Sequence, residues 1–357
     1  MLKELYNKRG LMPVWNENEK SWQERKAEII KLLLEEEYGF LPRTHDNLTW
    51  KKETENPNFC GGKVTLTKIK LTAHFGETKY SFPIYTSIPN TEGKHPYFVY
   101  ISFSKQIPDQ YLPIEEICDR GFAVVSFDYQ SVTEDYDKQP TGNDCPDILK
   151  HILFSGIKKQ ENHSGKIAMW SWAASRAMDY AQTLDCLDRS RAAVAGHSRL
   201  GKTALLTGAL DERFACAISN NSGCSGAAIS RKKDGETIKR ITDVFGYWFC
   251  GNYKKYADNE ANLPFDQHFL LAAIAPRKVY VASAVEDIWA DPNSEFLSCC
   301  AANEVYEKLG VKGFVNHGRL PEIGETFHEG NIAYHLRSHG HHLGRTDWNL
   351  FMDYMER

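Results

Sequence analysis

The sequence predicts an α/β fold: a mostly parallel central sheet, an antiparallel hairpin toward the N-terminus, and helices on both faces. Three observations carry this. Residues 62–76 ("GKVTLTKIKLTAHFG") and 78–89 ("TKYSFPIYTSIP") alternate apolar and polar side chains, the period of half-buried antiparallel strands. Residues 95–104 and 121–131 are continuous apolar runs, as strands covered on both faces require. Beyond them strand-like and helical stretches alternate, which is the order that crossover connections in a parallel sheet impose.

Taken in order, residues 1–60 read as a helical extension packed on a single domain spanning 1–357. Within it, 21–43 ("SWQERKAEIIKLLLEEEYGFLPR") is an amphipathic helix closed by Gly39 and Pro42. The hairpin and the two buried strands follow. Residues 165–184 have helical period, 192–198 ("AAVAGHS") read as strand and turn, and 199–210 as helix. Residues 214–223, 277–287 and 314–318 ("FVNHG") read as further short strands. The chain of 357 residues is long enough for two domains. No repeat or low-complexity linker divides it, and a sheet of this kind keeps such a length as one unit.

Composition narrows the function. The charge balance is 43 basic against 47 acidic residues, so no nucleic-acid partner and no anionic membrane surface is expected. The hydrophobic fraction of 42% supports a large core. No apolar run approaches the roughly 20 residues that span a bilayer. The opening "MLKELYNKRGLMPVWNENEKSW" lacks the apolar stretch of a secretory signal, so the expected location is the cytoplasm; a chain trimmed of its signal would read the same. The nine cysteines, none in a C-x-x-C pair, read as buried reduced thiols and not as metal ligands.

The stretch "AVAGHSRLGKTALL" (193–206) admits two chemistries. Gly196-x-x-x-x-Gly201-Lys202-Thr203 has the spacing of a phosphate-binding loop. The same residues are also an apolar strand, Gly196-His197-Ser198, and then a helix, as in a nucleophile elbow. The usual elbow is G-x-S-x-G, whereas here Leu200 stands two after the serine and the glycine comes one later. The phosphate-loop reading leaves Ser198, Trp289 and the C-terminal histidines without a task. An elbow serine requires an acid and then a histidine further along the chain. Glu286 and Asp287 stand at the end of the strand at 277–287, and alternation along a strand puts Asp287 on the side of Trp289. "YHLRSHGHHLGRTDW" supplies His339, His341 and His342. The order Ser198, Asp287, His341 is the order such a hydrolase needs.

"GHSRLGKTALL", "ISNNSGCSGAA", "GETIKRI", "PFDQHFLLAAIAPRKVYVASAVEDIWADP" and "YHLRSHGHHLGRTDW" together resemble the bacterial branch of carbohydrate esterase family 15, the glucuronoyl esterases. The resemblance covers about 190–348 closely and the N-terminal half loosely. It implies an α/β-hydrolase fold and a serine esterase acting on esters of (4-O-methyl)glucuronic acid, as in lignin–xylan linkages or oligosaccharides derived from them. By this resemblance Ser198 is the nucleophile, His341 the base with His342 the fallback, and Arg199 a stabiliser of the oxyanion. Lys202, Glu236 and Trp289 hold the sugar. Many members carry the acid where this chain has Asn221, and some bacterial members carry it after the later strand, where Asp287 stands; the acid is therefore assigned to Asp287. Asp266 and His268 read as structural, and Cys224 as packing. No cofactor and no metal is expected. The partner is a small-molecule or oligosaccharide uronate ester, and the oligomeric state is left open. An acetyl esterase on xylo-oligosaccharides is the alternative, with a carbohydrate-binding relic and a phosphate-loop protein further off.

Overall fold

The computed structural model describes residues 2–136 and 148–357. Its ten described strands form one sheet. They are β1 (Asn47–Phe59), β2 (Val64–Phe75), β3 (Thr78–Pro89), β4 (His95–Ser102), β5 (Ala123–Asp128), β6 (Leu187–His197), β7 (Cys216–Asn220), β8 (Lys278–Ala284), β9 (Thr326–Phe327) and β10 (Ile332–Arg337). Their spatial order is β1-β2-β3-β5-β4-β6-β7-β8-β10-β9. The run from β5 through β4, β6, β7 and β8 to β10 is parallel; β1, β2 and β3 join antiparallel at one edge and β9 at the other.

The expected hairpin is β2–β3, in unbroken register from Val64↔Pro89 to Phe75↔Thr78, with Gly76 at φ 60° in its turn. A left-handed turn residue suits the twist of a tight hairpin.

Ten helices are described: α1 (Leu2–Arg9), α2 (Trp22–Leu33), α3 (Ile114–Asp119), α4 (Ile148–Phe154), α5 (Lys166–Ala181), α6 (Arg199–Leu210), α7 (Ile238–Phe245), α8 (Gln267–Ala272), α9 (Pro292–Lys308) and α10 (Arg345–Met355). They cover both faces of the sheet. Tyr97, Val99, Val194, Ala217 and Val281 pack with Trp170 of α5, Leu205 of α6 and Phe296 of α9. The alternate residues Phe98, Tyr100, Ala195, Ile218 and Ala282 pack with Ile117 of α3 and Trp348 of α10. Apolar residues at both parities explain why these strands read as unbroken apolar runs.

Three expectations are corrected. The helical reading of 1–60 stops at Tyr38, because β1 follows as an edge strand. Its side chains are exposed on both faces, so it carries no alternation to reveal it. The helix expected over 21–43 is α2, which gives way to a π-helical turn over Leu34–Tyr38 that ends at Gly39. A Cβ on Gly39 would stand 2.5 Å from the His163 carbonyl oxygen. The strand expected at 314–318 is a loop whose amides bond side chains, Phe314 to Asn303 and Gly318 to Asn316. The strand that completes the parallel run is β10, which leads into the histidine-bearing stretch. Of the cysteines, Cys118, Cys216, Cys224, Cys250 and Cys299 are buried free thiols; Cys145 lies outside the described residues.

Candidate active site

β6 ends at His197 and α6 begins at Arg199, so Ser198 alone makes the turn. It takes φ 58° and ψ −127°, a conformation that costs a non-glycine residue on the order of 1–3 kcal/mol. Its surroundings hold it there. Ser198 N–H donates to the Asn220 carbonyl at 2.8 Å, and its own carbonyl accepts from Gly201 N at 2.9 Å and Lys202 N at 3.2 Å. Gly196 permits the close return of the chain: a Cβ there would lie 2.1 Å from the Leu200 carbonyl oxygen.

This geometry removes the phosphate-loop reading. One residue separates strand from helix, so no loop exists to wrap a phosphate. The Lys202 ammonium is buried and donates to the carbonyls of Ser222 and, at 2.6 Å, Cys224.

β8 and β10 are neighbours, and the loops at their carboxyl ends converge on Ser198, as open α/β sheets place their sites. His341 Nε2 lies 2.8 Å from Ser198 Oγ, and His341 Nδ1 lies 2.6 Å from Asp287 Oδ2. The chain does not stay extended after β8. Asp287 N bonds the Ala284 carbonyl at 3.1 Å, in a turn that still brings Asp287 and Trp289 to one pocket. Asn221 donates from Nδ2 to the same Asp287 Oδ2 at 2.8 Å. Burial opposes ionisation of Asp287, but the hydrogen bonds from His341 and Asn221 outweigh it and hold the carboxyl below its ordinary value.

The three histidines separate. Arg337 braces their loop, donating to the Ser338 carbonyl at 2.9 Å, the Gly340 carbonyl at 3.1 Å and the His342 carbonyl. His341 points at the serine. His342 lays its ring against Tyr111, 5.6 Å between centroids, and His339 N–H is tied to Glu286 at 3.2 Å.

A cavity of about 250 Å³ opens beside Ser198, lined by Arg199, Lys202, Asn221, Glu236, Trp289 and His341 among others. Trp289 stands 51% exposed. The Arg199 guanidinium lies over the rings of Trp248, Phe103 and Phe245 and is paired with Asp135. Its buried Nε has no hydrogen-bond partner among the described residues. Burial lowers the Lys202 pKa, against the pull of Glu236. Burial pushes the Cys224 thiol up to about 12, which suits packing and not nucleophilic attack. Asp266 caps α8 and accepts from Ser230 N at 2.6 Å, while His268 Nε2 lies 2.9 Å from the Met12 carbonyl.

Sequence reasoning missed Phe245 and Trp248, which form one wall of the cavity. The aromatic-dense "FGYWF" at 245–249 was the available signal. It also missed His197, whose ring centre lies 4.6 Å from that of His341. Burial and the nearby His341 lower the His197 pKa to about 3, so this ring is neutral beside the site.

Fold and site are those of an α/β hydrolase with a serine, a histidine and an aspartate in line. A family model described as glucuronyl esterase, fungi, matches residues 71–310. The chain belongs to the glucuronoyl esterase family. It is 46% identical over 192 residues to carbohydrate esterase MZ0003 of an unknown prokaryotic organism, covering 54% of this chain and 44% of that protein. It is 27% identical over 321 residues to a 4-O-methyl-glucuronoyl methylesterase of Phanerochaete carnosa, covering 86% of this chain and 71% of that one. A glucuronoyl esterase structure from Solibacter usitatus superposes with TM-score 0.85 at 30% identity, over 95% of this chain and 93% of that one. A promiscuous family-15 esterase from a marine bacterial metagenome gives TM-score 0.83 at 30% identity, over 95% and 91%. Against the first curated relatives the matched region is 44% and 57% of their own length. Among the described residues, no helix is long and apolar enough to cross a membrane.

Proposed function

We propose that this chain is a serine esterase that hydrolyses esters of glucuronic or 4-O-methylglucuronic acid, small or carried on an oligosaccharide. The observation that carries the reading is the hydrogen-bonded line Ser198–His341–Asp287 at the edge of a cavity holding Lys202, Glu236 and Trp289. The naming of several fungal relatives as 4-O-methyl-glucuronoyl methylesterases supports the substrate class.

In the first step His341 Nε2 takes the Ser198 hydroxyl proton as Oγ attacks the ester carbonyl carbon. Asp287 holds the imidazole by Nδ1 and stabilises the imidazolium. The negative charge on the carbonyl oxygen is met by amides at the start of α6, with the positive charge of the Arg199 guanidinium beside them. The tetrahedral centre collapses, the C–O bond to the alcohol breaks, and the alcohol leaves with the proton from His341. Water repeats the sequence on the acyl-enzyme and releases the uronic acid and free Ser198. Lys202 has two of its three donors on backbone carbonyls and offers the third to a sugar hydroxyl. Glu236 accepts from another, and Trp289 covers a face of the ring. Linkages between xylan uronate and lignin alcohols have the ester chemistry this site would take.

The test is hydrolysis of benzyl glucuronate beside an aryl acetate, for wild type and Ser198→Ala. Cleavage of the glucuronate by wild type, lost by at least about 10³-fold in Ser198→Ala, is expected. Cleavage of the acetate alone would leave the serine chemistry and overturn the uronate assignment. Cleavage of neither would overturn both.

A further inference from the structure

The N-terminal segment packs, from outside the sheet, against the two loop segments that carry Glu236 and Trp289. Arg9, the last residue of α1, is buried, and its two terminal nitrogens serve different partners. Nη1 donates to the Arg231 carbonyl at 2.9 Å, and Nη2 lies 3.7 Å from Asp291 Oδ2. Asp291 is itself buried, with φ 64°, and caps α9 by accepting from Ser294 N at 3.1 Å. The same Oδ2 that faces Arg9 accepts from Asp234 N at 3.0 Å. Beside this, Lys232 Nζ donates to the Lys8 carbonyl at 2.7 Å.

Those contacts tie two irregular segments, 231–236 and 288–291, to α1 and to each other. Glu236 N donates to the Trp289 carbonyl at 3.0 Å. At Gly235 (φ 72°) the two backbones are so close that a Cβ would stand 2.4 Å from the Trp289 carbonyl oxygen. Irregular backbone of this kind is held only where its polar groups find fixed partners. The N-terminal segment can act as such a base because it is braced along α9. Val14 N–H donates to Glu304 at 3.3 Å, and Lys308 Nζ donates to the Trp15 carbonyl at 2.5 Å.

The two segments carry Glu236 and Trp289, the residues that the proposed function gives to the sugar. We infer that Arg9 is a positioning residue for specificity: from outside the hydrolase sheet it holds Glu236 and Trp289 in the arrangement that selects a uronate. The inference rests on that functional reading. Arg9 touches neither Ser198, His341 nor Asp287, and Asp287 is held separately by Asn221 and His341, so removal of Arg9 leaves the chemistry of attack in place. The acyl group of an acetate is too small to use either sugar-holding residue, so acetate hydrolysis does not need the two segments ordered.

The experiment compares Arg9→Ala and Arg9→Lys with wild type on benzyl glucuronate and on an aryl acetate, together with amide hydrogen exchange. In Arg9→Ala the KM for the glucuronate should rise about five- to tenfold, the cost of ordering two loosened side chains on binding. Its kcat should stay within about twofold, and the acetate KM should not move. Arg9→Lys keeps the charge but lacks the planar fork whose two terminal nitrogens reach separate partners, and should fall between. Exchange should quicken at 231–236 and 288–291. An unchanged glucuronate KM, an equal rise for both esters, or unchanged exchange at these segments would overturn the inference. If Arg9→Ala does not fold, Arg9→Lys is read by the same outcomes. Trp289→Ala is the control on the functional reading. If it leaves the glucuronate KM unchanged, that reading fails, and the specificity role of Arg9 falls with it, while exchange still tells whether Arg9 holds the segments.

Discussion

Asp287 Oδ2 accepts from both His341 and Asn221, and in the proposed mechanism Asp287 is the acid, after β8 instead of after β7. An amide at 221 cannot stabilise an imidazolium as a carboxylate does, but it can orient the carboxylate that does. The two positions should therefore differ sharply. Asp287→Asn is expected to lower kcat on benzyl glucuronate by about 10³–10⁴-fold, since an amide there favours the wrong histidine tautomer. Asn221→Ala removes one neutral hydrogen bond to the carboxylate and should cost no more than about tenfold. Steady-state rates for the two variants decide it, and comparable losses would remove Asp287 from the role of acid.

At the scale of elements, the site depends on how tightly β6 turns into α6. The turn is a single residue, and it exists because the backbone at 196 passes so near Leu200. Gly196→Ala would put a methyl group 2.1 Å from a main-chain oxygen that belongs to a helix and cannot move aside. The variant should lose about 3 kcal/mol or more of stability, read from urea denaturation, as strained overpacking of fixed backbone does. A loss below about 1 kcal/mol would show that the elbow tolerates a wider turn. The same element logic explains the departure from G-x-S-x-G. Gly201 lies on the side of α6 facing β7, where a Cβ would stand 3.0 Å from Ser219 Oγ and 3.1 Å from Ser222 Cβ, so the glycine serves helix-to-strand approach one residue later than usual.

Over the whole molecule, the N-terminal region is joined to the sheet by buried polar groups as well as by apolar packing. Glu37, in the π-helical turn after α2, is fully buried, and Gln267 Nε2 donates to its two oxygens at 3.1 and 3.2 Å. Burial raises its pKa from 4.5 to about 8, against the hydrogen bond from Gln267. The folded state thus keeps a proton that the unfolded state gives up. The stabilisation from this group is complete below about pH 4.5 and is lost as pH rises toward 8. Glu37→Gln carries no such proton. Its stability relative to wild type should rise across that interval by on the order of 3 kcal/mol, measured by denaturation at a series of pH values. A pH-independent difference would mean that Glu37 is ionised in the fold.

Much of this was legible in the chain. Strand periodicity, the Gly196-His197-Ser198 turn and the order of serine, acid and histidine are local patterns. They follow from torsional preference and from which side chains neighbouring residues bring together. Edge strand β1 was not legible because both its faces meet water, so burial wrote no alternation into it. The choice of His341 over His339 and His342 came from the family resemblance and not from local pattern, since three histidines within four residues share one. In the structure Arg337 holds the loop that carries them, from a strand whose neighbour is distant in sequence. Phe245 and Trp248 at the cavity, Asn221 on Asp287, and Arg9 on Arg231 and Asp291 are likewise products of strand order and loop path. Local sequence determined which elements form and in what order. Only long-range packing, which acts between residues hundreds of positions apart, decided which side chains meet.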